Sequence, residues 1–171
     1  MKIFIDKNDN LKSARGGVYA LGNFDGVHLG HKEIISKVID ISNSKNIPSG
    51  VLIFDPHPRN FFNPKLDDFI LSDIKTRSYL LEKTNLDFLG ILKFDDFMSN
   101  LSPREFIEKI IKNRVGVSHL IVGYNFRFGK NREGDVEILS KICSEFNIDL
   151  TIIEQVKNME LTIEELSLIH I

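Results

Sequence analysis

The chain has 171 residues, of which 42% are hydrophobic and 27% are charged, as expected of one globular domain with a core of ordinary size. Its formal net charge of −2 gives no basic excess that would favour a nucleic-acid or membrane partner. No apolar run approaches the roughly 20 residues of a membrane span, and charge interrupts the N-terminal apolar run, which makes it unlike a secretory signal. Cys143 is the single cysteine, so no disulfide can form within the chain. These features favour a reducing, cytoplasmic location.

Short β-rich apolar runs alternate along the chain with helical patterns. The predicted strands cover residues 18–21, 50–54, 88–92, 119–122 and 150–153. The predicted helices cover residues 32–44, 73–84, 103–113 and 136–146, and the third opens with a capping box at Ser102. This alternation predicts an α/β protein with a parallel five-stranded sheet and helices on both faces.

Three unusual segments each follow a predicted strand: 22–31, 55–59 and 123–129. Ligands of parallel α/β sheets bind outside the carboxyl ends of the strands. We therefore expect the three segments to lie together at one edge of the sheet.

The first segment reads Gly22-Asn23-Phe24-Asp25-Gly26-Val27-His28-Leu29-Gly30-His31. Its glycines permit a tight turn and close backbone approach to a ligand, and Gly30 stands where a helix N-terminus attracts phosphate. His28 and His31 are three residues apart, so in a helical turn they share a face and can donate to phosphate oxygens. The structural alternative is that both histidines only cap a helix and pack.

The other two segments combine rigidity with aromatic side chains. Pro56 and Pro58 predict a stiff, non-helical loop that holds His57, although a simple turn with a solvated histidine is the alternative. In 123–129 aromatic and polar residues alternate between glycines, which indicates a binding loop or an ordinary strand. Phe106 lies on the helix that begins after Ser102, and its position suits a binding-site residue and a core residue equally.

The ten-residue string 22–31 resembles the H-x-G-H signature of the nucleotidyltransferase superfamily, and specifically the FMN adenylyltransferase module of prokaryotic FAD synthetases. Those proteins are usually bifunctional riboflavin kinase/FMN adenylyltransferases. The segments at 54–58 and 123–129 are similar to the family's F-x-P-H-P and G-x-[DN]-F-R-F-G loops. The resemblance covers about residues 18–156 and implies the nucleotidyltransferase version of the Rossmann-like fold.

The resemblance implies an enzyme, an FAD synthase in which the FMN phosphate attacks the α-phosphorus of ATP, releasing pyrophosphate and forming FAD. It implies that Mg²⁺ accompanies ATP, and we predict no metal ligand from the protein. The catalytic residues implied are His28, His31 and Asn125. The ATP-binding residues implied are Gly22, Asn23, Phe24, Asp25, Gly26, His28, Gly30 and His31. The FMN-binding residues implied are Asp55, Pro56, His57, Pro58, Phe62, Phe106, Asn125, Arg127 and Phe128, with Phe62 and Phe128 stacking on the flavin.

The chain departs from the family pattern after Val156. The family's S-S-[ST]-x-[IV]-R segment has no counterpart in residues 157–171, and no riboflavin kinase domain follows. We therefore expect a domain at 1–156 and an atypical tail at 157–171, truncated or artefactual, with the parent protein also a riboflavin kinase. Two other functions remain open: a different nucleotidyltransferase of the H-x-G-H superfamily, and a non-catalytic nucleotide- or flavin-binding fragment. ATP and FMN are the expected partners, without nucleic acid or membrane, and no oligomeric state follows from the sequence.

Overall fold

The computed structural model of the chain describes residues 1–5, 11–22, 29–64 and 81–154. In these ranges all strands belong to one parallel sheet with the order β1-β4-β3-β2-β5-β6. The strands are β1 (Lys2–Ile5), β2 (Val18–Leu21), β3 (Ser49–Asp55), β4 (Phe88–Lys93), β5 (His119–Gly123) and β6 (Asp149–Ile153). The strands predicted from apolar runs are all present, with ends within one residue of the predicted ones.

The helices connect successive strands. They are α1 (Leu11–Ala14), α2 (Leu29–Lys45), α3 (Pro58–Phe62), α4 (Asp96–Ser99), α5 (Pro103–Glu105), α6 (Phe106–Val115) and α7 (Val136–Glu145). Three of the predicted helices correspond to α2, to α5 with α6, and to α7. Of the fourth, predicted at 73–84, residues 73–80 lie outside the described residues, and residues 81–82 are helical.

The sheet has six strands rather than the predicted five, because β1 adds an edge strand beside β4. Only Phe4 of β1 is buried, so the strand lacks the continuous apolar run that marks the others. The Phe4 ring packs against the rings of Tyr19 and Phe88, with centroids 6.4 and 6.1 Å away. A single aromatic side chain thus anchors a strand whose sequence is otherwise polar or exposed.

Strand β2 is buried along its whole length and supplies both faces of the sheet. Side chains of a strand alternate between faces, and accordingly Tyr19 and Leu21 join one apolar cluster while Val18 and Ala20 join another. Helices α6 and α7 contribute to the first cluster, and α2 contributes to the second. The prediction of helices on both faces is therefore confirmed.

The capping box predicted at Ser102 is present. The Ser102 hydroxyl accepts from the Glu105 backbone N–H at 3.1 Å, and the Glu105 carboxylate accepts from the Ser102 N–H at 3.2 Å. The helix then continues as a π-helix through Phe106–Val115, two residues beyond the predicted end. It stops at Gly116, whose φ of 77° is left-handed, a conformation that glycine adopts without a side-chain penalty.

His119 is a buried histidine at the start of β5. Its Nδ1 accepts from Lys45 Nζ at 3.2 Å, and its Nε2 lies 2.7 Å from Thr151 Oγ1. Burial lowers the pKa of His119, and Lys45 lowers it further, while Asp149 opposes the shift. The imidazole is therefore held in its neutral form.

We expect the substitution Gly90→Ala to destabilise the fold. A Cβ at Gly90 would lie 2.4 Å from Phe4 Cζ and 2.5 Å from Leu52 Cδ2, and both side chains are fully buried. Overpacking of this kind costs about 1–3 kcal/mol, measurable by urea unfolding. Gly123→Ala is the matched control, because its Cβ would meet only Asn125 Oδ1 at 3.5 Å. Equal losses of unfolding free energy in the two variants would contradict this account of the packing at the β1 edge.

Stability should fall on acidification through His119. Because its folded pKa lies below the usual 6.5, the unfolded chain binds the proton more readily, and the free energy of unfolding decreases as the pH falls below that value. The variant His119→Gln cannot titrate, so its stability should decline less between about pH 7.5 and about pH 5.5. Urea unfolding at several pH values measures how steeply the free energy of unfolding changes with pH in wild type and variant. Identical pH dependences would refute a lowered pKa at His119 as a cause.

Candidate functional site

The centre of the sheet is the point where the strand order reverses. After β2 the chain adds β3 and β4 on one side, and it then crosses to add β5 and β6 on the other. Strands β2 and β5 are therefore neighbours whose connections lead in opposite directions. The crevice outside the carboxyl ends of such a pair is where open α/β sheets bind ligands.

A cleft of about 1060 Å³ lies at this edge of the sheet. Residues at or just after the carboxyl ends of four strands contribute to its walls: Gly22 after β2, Phe54 at the end of β3, Phe94 after β4, and residues 126–132 after β5. The three segments that the sequence singled out are thus represented around one cavity in the described part of the chain.

The first segment is only partly described. Asn23, Phe24, Asp25, Gly26 and His28 lie outside the described residues. Gly22 lines the cleft, and its N–H donates to the Leu52 carbonyl at 3.2 Å. Gly30 and His31 lie in the first turn of α2, as predicted. His31 is half-buried and does not line the cleft.

The second segment differs from its prediction, because it is not wholly non-helical. After the cis Asp55–Pro56 bond, α3 begins at Pro58, since proline suits the first position of a helix, where no N–H partner is needed. His57 Nδ1 caps this helix by accepting from the Arg59 N–H at 3.0 Å. The bond assigns the proton of the neutral ring to Nε2. His57 and Pro58 line the cleft, whereas Asp55 and Pro56 are exposed and do not.

Helix α3 carries an aromatic wall of the cleft. Phe61, Phe62 and Phe94 meet edge to face, with centroid separations of 5.2–6.0 Å. Phe62 is 63% exposed, although large apolar rings are usually buried. An exposed ring in a cleft wall is a surface on which a flat aromatic ligand can stack.

The third segment is a turn and a loop, not a continuation of the strand. β5 ends at Gly123, and Phe128 then pairs with Gly134 through N–H···O bonds of 3.2 and 2.9 Å. Phe128 also lines the cleft, but it is only 5% exposed because it packs between Phe126 and Phe106, at 5.5 and 6.0 Å. Asn125 is exposed in the turn and does not line the cleft.

Phe106 is both a core residue and a residue of the cleft lining. It is 3% exposed and belongs to the main apolar cluster, yet it lies at the cleft floor beside Phe54 and Phe128. As the rings stand, Phe62 offers far more surface to a ligand than Phe106 or Phe128.

Sequence reasoning missed several cleft residues. Among the described residues four cations line the cavity, and of these only Arg127 was predicted; the others are Arg59, Lys130 and Arg132. Asp96 is the only acidic residue among the described lining. The available signal was position: Arg59 ends the second segment, and Lys130 and Arg132 directly follow the third.

The described ranges bear on two other kinds of site, a membrane span and a metal centre. No helix there is long and apolar enough to cross a membrane. The same ranges hold no group of three or more His, Cys, Asp or Glu side chains placed to bind a metal ion.

Comparison with known proteins adds sequence and fold relationships. The bifunctional riboflavin kinase/FMN adenylyltransferase of Buchnera aphidicola subsp. Schizaphis graminum is 32% identical over 139 residues, which are 81% of this chain and 45% of that protein. The protein of the same name from Pseudomonas fluorescens is 37% identical over 125 residues, covering 73% and 40%. The chain thus spans less than half the length of these curated relatives.

A solved structure shares the fold. The crystal structure described as a macrolide-efflux protein from Streptococcus pneumoniae superposes with a TM-score of 0.76 at 23% identity, over 95% of this chain and 53% of that one. At this identity the likeness supports the Rossmann-like architecture alone.

The family comparison covers nearly the whole chain. The family described as FAD synthetase matches residues 10–166. That range includes the glycine- and histidine-rich segment, the capped α3 and the loop after β5. On this match the chain belongs to the FAD synthetase family.

Proposed function

We propose that this chain catalyses the transfer of AMP from ATP to FMN, giving FAD and pyrophosphate, and that the intact protein is also a riboflavin kinase, as its relatives are named. The observation that carries the adenylyl transfer is the composition of the cleft. Gly22, which opens the phosphate-binding segment, and Phe62, an exposed ring, line the same cavity at the reversal point of the sheet. This combination supports the binding of the nucleotide and the flavin in one cavity.

The nucleotide side of the proposal uses the segment between β2 and α2. ATP would lie against Gly22–Gly30, with His28 and His31 donating to its phosphate oxygens. The start of α2 at Leu29 supports this arrangement, because the N–H groups and dipole of a helix N-terminus favour phosphate. Asn125 would hold polar groups near the reacting phosphate from the turn after β5.

The flavin side uses the aromatic wall. Phe62 would provide the main stacking surface, while Phe106 and Phe128 would form the floor, because the structure leaves them only 3% and 5% exposed. His57 and Pro58 border the same space, and Arg127 supplies a charge there. Asp55 and Pro56 would act by shaping the turn before α3.

The reaction itself needs positioning more than covalent help from the protein. An oxygen of the FMN phosphate forms a bond to the α-phosphorus of ATP, and the bond to the β-phosphate oxygen breaks to release pyrophosphate. Charge develops on the transferred phosphoryl oxygens, where donors such as His28 and His31 stabilise it. No side chain need act as a nucleophile.

Mg²⁺ and a cytoplasmic location complete the proposal. Mg²⁺ would be held by the ATP phosphates and by water, and it would offset the negative charge of those phosphates. A location in the cytoplasm is supported by the single cysteine, because Cys143 cannot form a disulfide within this chain.

The decisive experiment incubates the chain with FMN, ATP and Mg²⁺ and separates the products by chromatography. We expect FAD and pyrophosphate in equal amounts. Flavin binding without FAD would indicate a non-catalytic binding module, and no flavin binding would indicate another nucleotidyltransferase. His28→Ala should lower turnover at saturating substrates by about 10²-fold or more, because it removes a donor to the developing charge. His119→Gln, at the opposite edge of the sheet, is the control at neutral pH, and a His28→Ala rate within about twofold of wild type would be incompatible with the assigned role.

Phe62→Ala should weaken FMN binding by about tenfold, since stacking on an aromatic side chain contributes roughly 1–3 kcal/mol. Stability should change little, because the ring is 63% exposed. Phe97→Ala is matched to it: Phe97 is 53% exposed but does not line the cleft. Quenching of flavin fluorescence measures both affinities. An unchanged FMN affinity in Phe62→Ala would remove Phe62 from the flavin site.

A further inference from the structure

The loop after β5 carries a cationic turn that the proposed reaction has not used. Lys130–Arg132 form a short 3₁₀ turn at the cleft wall. Within it Asn131 and Arg132 both have left-handed backbones, with φ of 56° and 55°. Two consecutive non-glycine residues in this region cost free energy and persist only where the surroundings enforce them.

The surroundings of the turn are well defined. The Lys130 N–H donates to the Leu101 carbonyl at 2.8 Å, and the Arg132 N–H donates to the Gly129 carbonyl at 3.0 Å. Gly129 is left-handed at φ 79° and packs so closely on Pro103 that a Cβ would lie 2.8 Å from that ring. The turn is therefore tied to the start of α5, and its side chains border the cleft.

The charges on this rim are unbalanced. Arg127, Lys130 and Arg132 form no ion pair with any acidic group in the described part of the chain. Asp135 is engaged as the N-cap of α7, and Glu133 is exposed but does not line the cleft. Among the described lining residues these three cations face a single acidic residue, Asp96, so the described rim carries a positive charge although the chain carries a net charge of −2.

We propose that Lys130 and Arg132 form, with Arg127, a phosphate-selecting rim that favours phosphate-bearing flavin over unphosphorylated flavin. This inference rests on the proposed function and assigns specificity to Lys130 and Arg132, which are outside the predicted site. Exposed charges add little to static affinity, because water and salt screen them. Their field in a cleft instead raises the association rate of an oppositely charged ligand, by factors of 10 or more at low salt. FMN carries a phosphate dianion and riboflavin does not, so only FMN should gain.

The test compares association rates of FMN and riboflavin by stopped-flow flavin fluorescence. In the double variant Lys130→Gln/Arg132→Gln, the FMN rate constant should fall by about fivefold to tenfold at low ionic strength, with riboflavin changed less than about twofold. Raising the salt to about 0.5 M should remove most of the difference between variant and wild type.

The control is the double variant Lys12→Gln/Lys141→Gln, which makes the same change in net charge. Both lysines are exposed and lie outside the cleft. It should leave the FMN rate near that of wild type. An equal fall for the two flavins, an equal fall in the control, or a fall confined to ATP association would overturn the proposal.

Failure of this inference is distinguishable from failure of the proposed function. If wild-type protein makes FAD but the rim variant keeps its preference for FMN, only the rim is refuted. If wild-type protein neither binds FMN nor makes FAD, the proposed function is wrong and the rim is refuted with it.

Discussion

The position of β2 is the constraint on which the rest of the structure depends. Its four residues are buried on both faces, and it pairs in parallel with β3 on one side and β5 on the other, so that Val18 lies opposite both Ser49 and His119. This double pairing aligns the carboxyl ends of three strands at one edge. The loops that follow them consequently meet, and residues far apart in sequence border one cleft.

Two large rings require glycine at the position paired with them, Tyr19 with Gly50 in the sheet and Phe128 with Gly134 in an isolated bridge. A Cβ at Gly50 would lie 2.4 Å from the Tyr19 ring, and one at Gly134 would lie 2.5 Å from the Phe128 ring. The Tyr19 hydroxyl is buried too, but it donates to the Ala14 carbonyl at 2.7 Å, which satisfies its polar atom. Burial raises the pKa of Tyr19 well above its ordinary value. The core therefore combines tight packing with hydrogen bonding of its polar groups.

Local signals in the sequence predicted what local physics determines. Apolar runs marked five of the six strands, and the Ser102 capping box marked the helix start, because each signal acts within a few residues. β1 was missed since its place depends on Phe4 reaching Tyr19, a contact that no local pattern encodes. The helix beginning at Pro58 was missed for a different reason: proline both ends strands and starts helices.

The site shows the same division. Segments after strand ends could be placed at one edge from the alternation of elements alone. The sequence could not predict which phenylalanine is exposed to the cleft. The exposure of Phe62 and the burial of Phe128 depend on packing against residues distant in sequence. Lys130 and Arg132 were missed because the left-handed backbone at Asn131 and Arg132 sets the course of this turn, and sequence periodicity does not describe such a backbone.

The pairing of Phe128 with Gly134, together with the bond from Lys130 to the Leu101 carbonyl, has a consequence for the thermodynamics of binding. A ligand that requires a loop to become ordered loses part of its affinity to the entropy of that ordering, roughly 1–2 kcal/mol for each backbone residue fixed. Here the backbone of the loop is already held before a ligand arrives. Binding to this wall should therefore immobilise side-chain ends more than main chain, and leave a larger share of the contact energy as affinity.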